Sequence, residues 1–203
     1  MAANALSDAP PTAREIRRRE TRARLFEAAV AEIGRSGLNG ADVSAIASAA
    51  GVVRGTFYFH FPTKEHVLVE LERNEEVRIV AALGDPANTS LESMLADLVR
   101  ETLTSERRLG PVVFRDMLGL HFSSTRPAED ELAEHPLAEF VVTAVSAAQA
   151  SGQVAPDVDP AEIALFFLTG LFALLATGAH DSHHADALLR RYATTIVKGV
   201  QTR

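Results

Sequence analysis

At 203 residues the chain is long enough for one or two modest domains with a sizeable core, and 47% apolar with 23% charged residues is the composition of a folded protein, not a disordered one. It has no cysteine, which excludes disulfides, thiolate metal sites and a cysteine nucleophile and fits a reducing compartment. The net charge of −7 argues against nucleic acid only until it is divided: residues 1–66 carry nine basic and seven acidic side chains (+2), residues 67–203 eleven basic and twenty acidic (−9). A mildly basic head on an acidic body favours one docking orientation on phosphate.

In chain order, residues 1–13 are rich in Ala, Ser and Pro and lack the basic start and apolar segment of a secretory signal. They read as a disordered arm, and the protein is expected in the cytoplasm. A long helix follows from about Ala13 to Gly34, with Leu25, Phe26, Ala29, Val30 and Ile33 on one face. Its start is crowded by Arg14, Arg17, Arg18, Arg19, Arg22 and Arg24, which is either a solvated face or a set of phosphate and minor-groove contacts. Asp42 stands where it can cap a short helix whose apolar stripe is Val43, Ile46 and Ala47. Ala50-Gly51 breaks that helix, because glycine accepts the left-handed backbone of a tight reversal. A second short helix runs from Val53 to His60, Pro62 forces Phe61 out of the helical region, and Thr63 is placed to cap a third helix from Lys64. Two short helices around a sharp turn, braced by a third, form a helix-turn-helix unit that reads DNA.

The residues Gly51-Val52, then Gly55-Thr56-Phe57-Tyr58-Phe59-His60-Phe61-Pro62-Thr63-Lys64-Glu65, resemble the recognition segment of TetR-family transcriptional regulators. The likeness extends upstream through Thr21 to Gly37. Two departures concern capping: Val53 stands where the family usually has Ser, and Ala41 where it often has Thr. The resemblance implies a homodimer that lays one recognition helix per subunit into the major groove of a palindromic operator. Arg54 and Thr56 face base edges in this reading, and Gly55 lets the backbone approach closely. Tyr58, His60, Thr63 and Lys64 hold phosphates, as the matching Tyr and Lys do in similar proteins. Asp42 and Ser44 complete the DNA-binding set.

Downstream, periodicity and breakers outline six more helices with no competing strand signal. The bracing helix reaches Leu83, before Gly84-Asp85-Pro86; Ser90 caps the next, which ends near Arg107; Gly110-Pro111 opens a short one to Phe122. Residues 129–150 read as helical with Pro136 a point of interruption, residues 151–159 as a loop, and Pro160 as a helix start. The stretch Ile163 to Ala176 is apolar on nearly every side, yet fourteen residues are too few to span a bilayer. One face therefore packs on its own domain and another on a second subunit. With the last helix, His184 to Val200, it would build a four-helix bundle through Phe172, Leu175, Leu189, Tyr192 and Ile196, which is also how similar proteins of the family dimerise.

The sequence thus describes an all-α protein of about nine helices: an arm at 1–13, a three-helix DNA-binding head at 14–66, and a ligand-binding and dimerisation body at 67–203. Its expected partners are double-stranded DNA, a second copy of itself and a mostly hydrophobic small molecule, with no membrane and no cofactor. The molecule would sit against Met94, Phe114, Arg115, Met117, Leu118, His121, Phe122, Phe140, Phe166 and Phe167, with His121 or Arg115 fixing its orientation. A solid body would favour a constitutive architectural DNA-binding protein instead. An enzyme on this framework would need a polar constellation that the sequence does not display, and no metal is expected, His180, His183 and His184 being the nearest approach to a ligand set.

Overall fold

A computed structural model describes residues 12–86, 89–130, 135–178 and 185–201. Among these, nine α-helices and a 3-10 turn carry the fold, and the one extended pairing is a single antiparallel bridge between Val154 and Gln201. The helices are α1 (Ala13–Gly40), α2 (Val43–Ala49), α3 (Arg54–His60), α4 (Lys64–Leu83), α5 (Leu91–Leu109), α6 (Pro111–Gly119), α7 (Pro136–Ala150), α8 (Pro160–Ala176) and α9 (Ala185–Val200), with the 3-10 turn at Leu120–Phe122. No helix among the described residues is long and apolar enough to cross a membrane.

The local chemistry explains most of these limits. Thr12 and Glu15 form a reciprocal capping box that opens α1 (Glu15 N to Thr12 Oγ1 3.3 Å, Thr12 N to Glu15 Oε2 2.7 Å). The expected end at Gly34 is corrected: helical turns continue to Gly40 across a kink at Gly37, whose φ of 69° only glycine adopts without strain. Asp42 accepts a 2.8 Å bond from Ser44 N and caps α2, and Gly51 (φ 70°) makes the reversal into α3. Thr63 does not cap α4 with its side chain; its hydroxyl lies 3.0 Å from Nδ1 of His66, the residue one turn on. The helix expected from residue 129 starts at Pro136, because proline is pre-set for a first helical turn and cannot continue one that precedes it. The histidine cluster at 180–184 and residues 1–11 lie outside the described residues.

Two hydrophobic clusters share α1 and α4. Leu25, Ala29, Val43, Ile46, Phe57, Phe61 and Val67 close the head, where the Phe57 and Phe61 rings pack 5.8 Å apart. A larger cluster spans α4 to α9 and takes in Ile33 and Leu38 from the far end of α1. The joint between them is polar and specific: Asp116 on α6 accepts from Leu38 N at 2.6 Å, and Lys64 Nζ donates to the carbonyls of Leu38 (2.7 Å), Ala41 (2.8 Å) and Asn39 (3.4 Å). Those carbonyls have no partners within their own helix, so a cation there satisfies them and complements the helix dipole.

Candidate nucleic-acid interface and body site

The head presents one outward face. Arg54, Gly55, Tyr58 and Phe59 of α3 are exposed together with Asp42 and Ser44 of α2, while Thr56 and His60 are half-buried at its edge. Nothing lies within 4 Å of where a Cβ on Gly55 would stand, so the open space beside it is available to an incoming backbone. The Arg54 guanidinium leans on its own helix, 3.3 Å from the Tyr58 hydroxyl and 5.9 Å from the ring centre, which positions both side chains on the same patch. Val53, at 75% exposure, provides no side-chain cap for α3, the consequence of its standing where a hydroxyl residue would bond the first free N–H.

Three of the residues expected to hold phosphates have surroundings of their own within the chain. Lys64 is engaged with the α1 carbonyls, and Thr63 with His66. Burial and the neighbouring Arg18 and Arg22 lower the pKa of His60 and so disfavour a charged imidazole there. The arginine run divides as well. Arg22 pairs with Glu70 and lies 4.5 Å from the Phe61 ring centre, and Arg24 Nε donates to Ala50 O at 3.2 Å, so these two brace the head. Arg14, Arg17, Arg18 and Arg19 stay exposed, Arg18 lying 5.3 Å from the ring centre of the outward-facing Phe59.

The expected ligand pocket is corrected by packing. Met94, Phe114, Met117, Leu118, Phe140 and Phe167 are core residues, whereas Phe122 and Phe166 face outward. Between Phe114 and Met117 the free volume is about 10 Å³, room for one water and no organic molecule. Its walls also carry Glu72, Glu75 and Glu76, so the centre of the body is not the apolar cavity that the Phe and Met content implied. Arg115 is half-buried on α6, and His121 contacts Glu72.

Sequence reading missed this buried charge. Glu72, Glu75 and Glu76 project from α4 into the core, where an unpaired carboxylate costs several kcal/mol. Each has a partner: Glu75 pairs with Arg108, Glu72 with His121 and Arg126, and Glu76 lies 2.8 Å from Nδ1 of His135. Asp130 joins from the loop before α7, 3.0 Å from both Arg73 and His135 Nε2. Desolvation works against ionisation of His135, yet Glu76, Glu72 and Asp130 around it raise its pKa. The available signal was three glutamates at positions 72, 75 and 76, a spacing that keeps all three close to one helical face.

Larger openings lie at the surface. One of about 600 Å³ runs between α5 and α9, with Val99, Leu103 and Leu189 in its floor and Arg100, Arg107 and Arg190 on its rim. Another of about 270 Å³ enters beside Phe122 and Leu165 and is lined deeper in by His121, Arg126 and Asp130. The dimer residues also divide. Phe172, Leu175 and Leu189 are buried within their own chain, so they are not free to meet a second one. Tyr192 and Ile196 are half-buried, and the outward apolar residues of α8 are Leu165 and Phe166, 50% and 58% exposed.

The family model for bacterial regulatory proteins of the tetR family matches residues 25–71, which span the end of the first helix, the whole helix-turn-helix and the start of α4. The HTH-type transcriptional regulator AcrR of Shigella flexneri is 31% identical over 97 residues, 44% of this chain and 45% of that protein, so the chain spans about half the length of this relative. UidR of Escherichia coli strain K12, also an HTH-type transcriptional regulator, is 22% identical over 90% of this chain and 93% of its own. Among solved structures, the transcriptional regulator FadR of Bacillus subtilis in complex with stearoyl-CoA superposes with a TM-score of 0.64 at 17% identity, covering 88% of this chain and 99% of that one, which establishes a common fold.

Proposed function

We propose that the chain is a transcriptional regulator of the TetR family, whose model matches residues 25–71, and that it is a homodimeric repressor released from a palindromic operator by a small amphipathic molecule. Residues 14–66 are the DNA-binding unit in this reading and residues 67–203 the body. The observation that carries it is the exposed patch of Arg54, Gly55, Thr56 and Tyr58 on a helix held by a sharp turn and braced by α4, at the basic end of an acidic chain. Arg54 reads a base edge, Tyr58 and the exposed arginines at the start of α1 hold phosphates, and Lys64 acts indirectly by fixing the end of α1.

Dimerisation centres on Leu165 and Phe166 of α8, flanked by Tyr192 and Ile196 of α9. Outward leucine and phenylalanine side chains one residue apart on a helix gain most of their burial energy from a second copy. The effector site moves from Phe114 and Met117 to the opening between α5 and α9. An apolar floor with Arg107 and Arg190 beside it suits an amphipathic ligand, Arg100 being paired with Asp97 and Glu101, and Glu106 also lining the opening, and the likeness to FadR, solved with stearoyl-CoA, supports that class. Such a ligand would shift α5 against α4 and so the spacing of the two heads.

Footprinting on the gene's own upstream DNA tests the reading. Protection of a palindrome, with steep salt dependence and with base preference relaxed by Arg54→Ala, is the expected result. Equal affinity for the palindrome and for random duplex would refute it in favour of an architectural DNA-binding protein.

A further inference from the structure

The charge cluster inside the body holds more cationic machinery than its carboxylates need, and one part of it fits poorly. Arg126 reaches in from the loop after the 3-10 turn, 3.1 Å from Glu72 and 2.5 Å from Asp130, with its side chain only 12% exposed. One of its terminal nitrogens, Nη1, is buried with no hydrogen-bond partner. A guanidinium with five donors rarely leaves one unmet in a protein interior. It occupies a position whose other walls are two imidazoles and two carboxylates: Glu72 of α4, His121 of the 3-10 turn, Asp130, and His135 at the start of α7.

We propose that Glu72, His121, Asp130 and His135 form a binding site for a divalent transition-metal ion of the zinc class, which replaces the Arg126 guanidinium. Ligand atoms of Glu72, Asp130 and His135 lie within 4.8 Å of one another. Metal–ligand bonds of about 2.0–2.2 Å span that separation after each side chain closes by at most roughly 0.7 Å. His121 Nε2 touches Glu72 but lies outside that group of three, and moving in with Glu72 would make it a fourth donor. His135 is oriented as metal-binding histidines are: a second carboxylate, Glu76 Oε1, sits 2.8 Å from its Nδ1 and leaves Nε2 directed at the cluster. Two nitrogen and two oxygen donors suit zinc, cobalt or nickel, whereas magnesium and calcium prefer oxygen alone.

On binding, the Arg126 guanidinium withdraws and the divalent ion takes its place between the Glu72 and Asp130 carboxylates. The way out is present, because Arg126 lines the 270 Å³ opening beside Phe122 and Leu165 and can swing into it. The inference goes beyond the regulatory reading and stands whether or not the protein binds DNA.

The test is titration of the metal-free full-length chain with Co²⁺, carrying His180→Gln, His183→Gln and His184→Gln so that the other histidine cluster does not contribute. Equilibrium dialysis should give one ion per chain with a visible d–d band. His135→Gln and His121→Gln should each weaken binding by more than tenfold, and Glu76→Gln, acting through His135, by about 10–100-fold. Arg126→Gln should strengthen binding, because it removes the competing cation; a purely structural ion network predicts lower stability and no metal. Circular dichroism checks folding, and Asp130→Asn stands in should His135→Gln not fold. Absence of saturable Co²⁺ binding, or binding that these ligand variants leave unchanged or that Arg126→Gln does not strengthen, would overturn the proposal.

Discussion

Lys64→Met separates the role that the sequence implies for this residue from the one the structure gives it. The ammonium makes two short bonds, to the carbonyls of Leu38 at 2.7 Å and Ala41 at 2.8 Å, and a longer one of 3.4 Å to Asn39. A hydrogen bond to a charged group contributes about 1.5–3 kcal/mol when buried, and partial exposure of Lys64 cuts that to about 1 kcal/mol for each short bond. Methionine keeps the length of the stem and most of its packing, so the loss should be close to about 2 kcal/mol. For a chain of this size that corresponds to a fall in Tm of about 4–8 °C. Thermal unfolding followed by far-UV circular dichroism reads the change, and operator binding at several salt concentrations reads the other role. A variant whose Tm stays within about 1 °C of the parent while its salt slope falls by about one unit would refute the bracing role and restore a phosphate contact.

Other substitutions follow from packing. A Cβ at Gly170 would overlap the Tyr192 hydroxyl, which donates to the Phe166 and Phe167 carbonyls at 2.8 and 2.9 Å, so Gly170→Ala should destabilise by about 1–3 kcal/mol in urea unfolding. Gly170→Ala with an unchanged midpoint would mean that the two helices can separate freely. Met117→Trp, placed beside a cavity of only about 10 Å³, should cost a similar amount instead of blocking a ligand. Calorimetry showing a stabilised variant would reveal a larger void than the packing allows. Phe166→Arg changes an exposed residue and should leave each chain folded; sedimentation should then show monomers, and a persisting dimer would move the interface elsewhere.

The sequence by itself determined the helical elements and the head. Capping residues, prolines and glycines act within one or two turns, so Asp42, Gly51, Pro62, Ser90 and Pro160 marked boundaries that the structure keeps. The apolar spacing in α1, α2 and α3 likewise placed Leu25, Ile46 and Phe57 in one core. Where local chemistry was ambiguous it misled: Gly34 read as the end of α1, but Gly37 supplies the kink and Asp116, 78 residues beyond Leu38, holds it through the Leu38 N–H. Partners distant in sequence were decided only by tertiary structure. Helical period shows which residues turn inward, not what meets them, so Phe172, Leu175 and Leu189 read as interface when their own chain covers them. The same limit hid the central feature of the body. Glu72 and Glu76 look like solvated charges until folding brings His121, Arg126 and His135 across from them, because a buried carboxylate is tolerated only where such distant residues converge on it.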